Sequence, residues 1–180
     1  MHDDIIKLMT SHSKEIDGYY FENNALNQFG VIKDNTVFLY RFPSRDVVAA
    51  FSIMISIPNL PNVEVYIDKP NVINFVKPYY KDETFDVTIH GNDKQHGFAL
   101  ADHLLSDFQF IANFKKLFKK DYKIIISNQT ITIYDYMNVN GIFSDPAHTE
   151  ELIQMWKVTQ ELQASIEYFI KKYKILTFTI

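Results

Sequence analysis

The segment from Phe98 to Lys172 constrains the fold most strongly, because its hydrophobic periodicity changes twice along its length. Apolar residues first recur at helical spacing, up to about residue 120. Two β-branched runs follow, Tyr122 to Ser127 and Thr130 to Tyr136, and they flank Asn128-Gln129. Paired residues that tolerate positive φ are typical of tight hairpin turns. We therefore predict one bent helix or two short helices, and then a β-hairpin.

The same segment ends in a long predicted helix, from Pro146 to about Lys172. Ser144 or Asp145 can cap its start, and proline suits its first position. Large side chains recur along it at spacings of three and four, and these are Leu152, Trp156, Thr159, Leu162, Ile166, Phe169 and Tyr173. The spacing predicts one apolar stripe with Trp156 on its inner side.

The length of this helix leads to a hypothesis about partners. At 1.5 Å per residue it would be about 40 Å long, whereas a compact domain of this size has a radius of gyration of about 16 Å. One end should then project or pack on a second copy. We expect a homodimer or a protein-binding surface that uses Ile166, Phe169, Ile170 and Tyr173.

The rest of the chain predicts strands and one more helix. The predicted elements are a helix from Asp3 to Ile16, a hairpin around Asp34-Asn35, and strands within Asp46 to Ile57, Val63 to Ile67 and Phe85 to Ile89. We find no domain boundary or internal repeat. We therefore predict a single α+β domain over residues 1–180, with a mainly antiparallel sheet, helices packed on one face and a long C-terminal helix.

Composition excludes several classes of site. The chain has no cysteine, which excludes disulfides, thiolate zinc sites and cysteine nucleophiles, and it is typical of a reducing compartment. No signal peptide or membrane-spanning stretch is apparent, so we expect a cytoplasmic protein. The five glycines form no phosphate-binding loop motif, and the net charge of −4 disfavours nucleic acid as a partner.

Three of the six histidines fall close together, between a predicted strand end and a predicted helix. With two aspartates they form the group His90, Asp93, His96, Asp102 and His103. Imidazole and carboxylate bind zinc, iron or manganese, so a metal-dependent enzyme centred on His90, His96 and His103 is one alternative hypothesis. However, two helical residues seven apart lie about 10 Å apart along the axis, too far to share one ion. We expect Asp93 to cap the helix, and we expect no metal, cofactor or catalytic residue.

A basic stripe and two aromatic groups are the other candidates. The stripe consists of Lys115, Lys116, Lys119, Lys120 and Lys123. It raises a second alternative hypothesis, a peripheral membrane or nucleic-acid binder, although lysines on the wet face of a helix explain it more simply. Tyr19-Tyr20-Phe21 and Tyr79-Tyr80 either bind a partner or cover the ends of the sheet, and we favour covers.

Four local features follow one another in an order that is also found in a known protein family. They are the hydrophobic strand leading into Leu60-Pro61-Asn62-Val63, the Phe85-x-Val87 strand, the Leu104-Leu105 pair, and the Ile124 to Ile133 hairpin before a long helix. From Ile53 to Glu167 the chain resembles an uncharacterised bacterial family of cytosolic domains that usually follow membrane helices. The resemblance implies a fold but no catalytic residues. We expect a membrane surface, if one is used, to be contacted and not spanned.

By elimination, the leading hypothesis is a non-catalytic protein-binding or scaffolding domain that self-associates. The metal-dependent enzyme and the lysine-stripe binder are the alternatives.

Overall fold

The computed structural model describes residues 2–26, 28–41, 50–68, 70, 77–107, 111–113, 115, 122–136 and 147–177. The strands in these ranges are β1 (Tyr19–Asn23), β2 (Gln28–Lys33), β3 (Thr36–Arg41), β4 (Ala50–Ser56), β5 (Glu64–Asp68), β6 (Tyr80–Lys81), β7 (Asp86–His90), β8 (Tyr122–Ser127) and β9 (Thr130–Tyr136). The helices are α1 (His2–Glu15), α2 (Lys94–Leu105), α3, of which residues 111–113 and 115 are described, and α4 (Ala147–Thr177).

All nine strands belong to one antiparallel sheet, in the order β1-β2-β3-β4-β9-β8-β5-β7-β6. The predicted α+β class, with its antiparallel sheet and long C-terminal helix, is confirmed. Both predicted hairpins are present. Asp34 turns the first at φ 51°, while Asn128 and Gln129 turn the second at φ 50° and 58°. The second hairpin lies in the middle of the sheet, where it joins β4 to β5.

The described helices pack against one face of the sheet, which we call the inner face. A buried row crosses this face and consists of Phe38, Ile53, Ile133, Ile124, Ile67 and Val87. Helix α1 contacts the row through His12, and α4 contacts it through Trp156. Helix α2 approaches through Gly97, where an added Cβ would lie 2.6 Å from Ile89 Cγ2. Every second residue of the strands therefore points toward the helices, and the described helices pack on this one face of the sheet only.

The sheet is wide enough for the long helix. Nine strands about 4.8 Å apart span about 40 Å, and the 31 residues of α4 measure about 46 Å at 1.5 Å each. A radius of gyration assumes a roughly spherical domain, so it underestimates the longest dimension of such a sheet. None of the described helices is long and apolar enough to cross a membrane.

Some sequence-based predictions fall on residues outside the described ranges. These are the helix start at Ser144, Asp145 and Pro146, the beginning of the strand at residues 46–49, and much of the helix before residue 120.

Candidate functional site

His96 connects the start of α2 to the last turns of α4. Asp93 caps α2, because its carboxylate accepts a hydrogen bond from the His96 backbone N–H at 3.4 Å, as predicted. The His96 ring then makes two side-chain hydrogen bonds, between Nδ1 and the Asp93 carboxylate and between Nε2 and the Tyr173 hydroxyl. The three groups therefore form a chain that holds two helices together.

The other two histidines of the group have partners elsewhere. His103 Nε2 lies 3.0 Å from the Ser165 carbonyl oxygen and 3.1 Å from its hydroxyl, and the ring lies beside Phe169. His90 lies at the end of β7 and contacts the edge of the Tyr66 ring, with centroids 4.8 Å apart. Each of these imidazoles is thus held by a different part of the fold.

These residues do not assemble into a metal centre. Among the described residues, which include His90, Asp93, His96, Asp102 and His103, no three potential ligands are grouped so that they could hold an ion. Asp102 instead accepts a hydrogen bond from the Tyr79 hydroxyl, and that bond raises the pKa of the Tyr79 phenol. The hypothesis of an enzyme centred on the three histidines receives no geometric support.

Two members of the lysine stripe are described, and both are paired with aspartates. Lys115 Nζ lies 2.7 Å from Asp82 Oδ2, and Lys123 Nζ lies 2.6 Å from Asp68 Oδ2. Hydrogen bonding to Lys115 lowers the pKa of the Asp82 carboxyl, so the pair stays charged at neutral pH. Lys116, Lys119 and Lys120 lie outside the described residues. The positive charges of the two described lysines are therefore already balanced by aspartates, which weakens their attraction for phosphate groups.

The aromatic groups form the two ends of the sheet. Tyr19, Tyr20 and Phe21 lie in β1, and Tyr80 lies in β6. Tyr20 and Tyr80 are half-buried against the core, as expected of covers, whereas 71% of Tyr19 is exposed. The sequence interpretation assigned no strand to either group, so both terminal strands were missed.

Three of the four residues of the predicted interaction surface on α4 are covered by the chain itself. Ile166, Phe169 and Ile170 are buried within their own chain, and Tyr173 is half-buried where it meets His96. Helix α2 packs against this stretch of α4, where His96 contacts Tyr173 and His103 contacts Phe169. Dimer formation stays a prediction, and the burial of Ile166, Phe169 and Ile170 removes most of the apolar surface that suggested it.

His12 is a buried titratable group that lies in the core. It is 2% exposed, and its ring lies 4.9 Å from that of Phe38 and 5.9 Å from that of Trp156, measured between centroids. Its Nε2 has no hydrogen-bond partner among the described residues. Burial lowers the pKa of the imidazole, and the nearby charge of Glu15 opposes that shift. His12 is therefore neutral when the protein is folded at neutral pH.

The buried imidazole should make stability depend on pH. The unfolded chain takes up a proton near pH 6.5, whereas folded His12 binds it only at a lower pH. The free energy of unfolding therefore has its full value above about pH 6.5. Below that pH it falls, by at most about 1.4 kcal/mol per pH unit, because the unfolded chain binds the proton and the folded chain does not. We expect His12→Leu to reduce this slope in urea denaturation between pH 7.5 and 5.0. Equal slopes for the two proteins would contradict the assignment.

A row of uncharged side chains crosses the other face of the sheet, which we call the outer face. Strand pairing aligns one residue from each of seven neighbouring strands, namely Ile32, Val37, Met54, Thr132, Ile125, Tyr66 and Thr88. We call this set the uncharged row. Ile32 is 38% exposed and the other members are half-buried. The described helices lie on the opposite face, so none of them covers the row.

Charged residues on the outer face lie beside this row and not within it. Glu64 and Asp68 are the β5 residues on either side of Tyr66, and Lys123 neighbours Ile125 on β8. Asp68 and Lys123 pair with each other. The sequence contained a signal for this surface. Positions on the wet face of an antiparallel sheet are usually polar, but those of β2, β3, β4 and β8 carry Ile, Val, Met and Ile.

We compared the chain with protein-family models, with curated proteins and with solved structures, and none of the three comparisons gave a match. The resemblance to a bacterial family therefore stays a prediction, and function has to be inferred from the contacts within the chain.

Proposed function

We propose that this protein is a non-catalytic protein-binding and scaffolding domain whose copies self-associate through the outer face. The observation that carries this proposal is the uncharged row, which runs across seven strands on the side away from the described helices. Antiparallel sheets with one wet face normally alternate apolar and polar residues along each strand. Apolar residues at the wet positions favour a second layer of protein over them.

The size of the face favours a second copy as that layer. Nine strands about 4.8 Å apart and about 17 Å long cover about 700 Å², close to the roughly 800 Å² that each partner contributes to a standard interface. Two such faces can stack about 10 Å apart as in a β-sandwich. The centre of the row carries no charge, so two copies that meet there bring no like charges together.

The alternative functions lack comparable support. The histidine group is divided among Asp93, Tyr173, Ser165 and Tyr66, and the described lysines of the stripe are paired. The proposal keeps the bacterial origin and cytoplasmic location that the resemblance and the cysteine-free composition lead us to expect.

Met54→Lys tests the proposal, because Met54 lies on β4, next to β9, the middle strand of the uncharged row. We expect the molar mass measured by light scattering to fall to half or less of that of the unmodified protein at the same concentration. The reason is that the substitution buries two unpaired ammonium groups at the centre of the interface.

Gln160→Lys is the matched control, since it adds the same charge at an exposed position of α4, in the opposite layer. We expect its molar mass to equal that of the unmodified protein, and both variants to keep the circular dichroism spectrum. If Met54→Lys and Gln160→Lys have the same mass as the unmodified protein, the outer face is not the contact surface.

A further inference from the structure

The two ends of the sheet are protected very differently. At one end, β6 has two residues, Tyr80 and Lys81, so it offers a neighbouring strand almost no backbone to pair with. At the other end, β1 has five residues and one charge, at Glu22. No described strand lies beyond it. Short length, charged side chains and proline are the usual devices that stop edge strands from pairing, and of these β1 has only the single charge of Glu22.

We propose that β1 pairs in antiparallel fashion with β1 of a second copy, so that two nine-stranded sheets join into one. This contact is separate from the outer-face contact and does not depend on it. Only an antiparallel arrangement lets the same strand meet itself across a two-fold axis, since each copy then presents identical groups to the other.

The charge on β1 selects the register. An axis through Glu22 would place two carboxylates directly opposite each other, which is destabilising. An axis through Phe21 pairs all five residues and places Tyr20 opposite Glu22 of the second copy. Tyr20 and Glu22 already form this kind of pair within one chain, where the hydroxyl donates to Glu22 Oε1 at 2.7 Å. The Phe21 register therefore gives each carboxylate a phenol and no like charge.

The outermost pair in this register consists of Tyr19 and Asn23 of the second copy, and both side chains are exposed in the single chain. Together with the outer-face contact, the β1 contact gives each chain two different two-fold interfaces. Two such interfaces on one chain build tetramers or longer arrays and not a simple dimer. Such an array is a scaffold, and this step, unlike the β1 contact itself, rests on the proposed outer-face contact.

A charge-reversal pair tests the register. In Tyr19→Lys with Asn23→Lys, two lysines face each other at both ends of the contact, and we expect the molar mass by light scattering to fall to half or less. In Tyr19→Lys with Asn23→Glu, lysine faces glutamate at both ends, and we expect the mass to recover. Both positions are exposed, so neither pair of substitutions should disturb folding. If the first variant keeps the original mass, or the second fails to restore it, the proposed pairing is wrong.

Met54→Lys combined with the lysine pair separates this proposal from the outer-face contact. We expect a dimer from either change alone and a monomer from the two together. A loss of mass from the lysine pair with none from Met54→Lys supports β1 pairing and overturns the outer-face contact. The opposite pattern overturns β1 pairing. A monomeric unmodified protein overturns both.

A single cysteine gives an independent readout. The chain has no cysteine of its own, so Phe21→Cys introduces the only thiol. Residues directly opposite on antiparallel strands have Cα atoms about 4.5–5.5 Å apart, within the range that a disulfide spans. We expect a covalent dimer on mild oxidation, and none from Tyr168→Cys on the exposed side of α4. If the Phe21→Cys protein still assembles but forms no covalent dimer, the axis does not pass through Phe21.

Discussion

Replacement of Gly30 by alanine is expected to destabilise the protein by about 3 kcal/mol or more, a large fraction of the roughly 5–15 kcal/mol that stabilises a typical domain. A Cβ on Gly30 would lie 1.9 Å from the Phe38 carbonyl oxygen, and that oxygen belongs to the backbone of the neighbouring strand β3. No rotamer change can relieve the clash, so β2 and β3 have to separate. Urea denaturation followed by circular dichroism measures the loss.

Gln28→Ala is the control for this effect, because Gln28 lies two residues from Gly30 along β2, on the same outer face and outside the uncharged row. We expect it to change the free energy of unfolding by less than about 1 kcal/mol, since the polar side chain is only half-buried. If Gly30→Ala lies within about 0.5 kcal/mol of the unmodified protein, the close approach of β2 to β3 is wrong.

Trp156→Ala is expected to cost about 3 kcal/mol, at the low end of the range for buried aromatic residues because the ring is half-buried. The indole ring lies 5.3 Å from Phe38 and 5.9 Å from His12, so it joins α4, β3 and α1. Its removal loosens three elements at one point. Denaturation midpoints of the two proteins measure this change.

Tyr168→Ala on the same helix serves as the comparison, because 61% of Tyr168 is exposed. We expect it to cost less than about 1 kcal/mol. Similar losses from the two substitutions would mean that α4 does not present Trp156 to the core.

The sequence predicted best where a local pattern is sufficient to specify an element. The turns at Asp34-Asn35 and Asn128-Gln129 lie where they were expected, because Asp and Asn tolerate positive φ and strand-forming runs flank both turns closely. The Asp93 cap was also predicted, because capping involves only residues three positions apart. The extents of α1 and the strands follow from periodicity over a few residues.

The terminal strands β1 and β6 were missed for the opposite reason. Tyr19 to Asn23 contains aromatic residues with high strand propensity, but no alternation distinguishes a strand there from a covering loop. Pairing with β2 makes it a strand, and β2 is itself placed by the first hairpin. A two-residue strand such as β6 has too little sequence to be predicted at all.

The histidine group shows the same limit at the level of a site. His90, His96 and His103 are close in sequence, but their partners Tyr66, Tyr173 and Ser165 come from distant parts of the chain. An ion is bound only where several ligand atoms lie close together in space, and the spacing of residues along one helix does not show whether they do. The burial of His12 follows from helical spacing, because His12 lies three positions after the buried Met9 on α1. The His12 Nε2 atom has no hydrogen-bond partner among the described residues. This follows from the tertiary structure, because the rings of Phe38 and Trp156 lie beside the imidazole.

By itself, the sequence determined the class of fold, the two hairpins, the helices and the apolar stripe of α4, because these follow from short-range periodicity and turn chemistry. The tertiary structure decided how these elements face one another. It placed nine strands in one sheet about 40 Å wide. Ile166, Phe169 and Ile170 are buried in this arrangement, and none of the described helices covers the outer face. Strand order depends on contacts between residues far apart in the chain, and no local pattern encodes it.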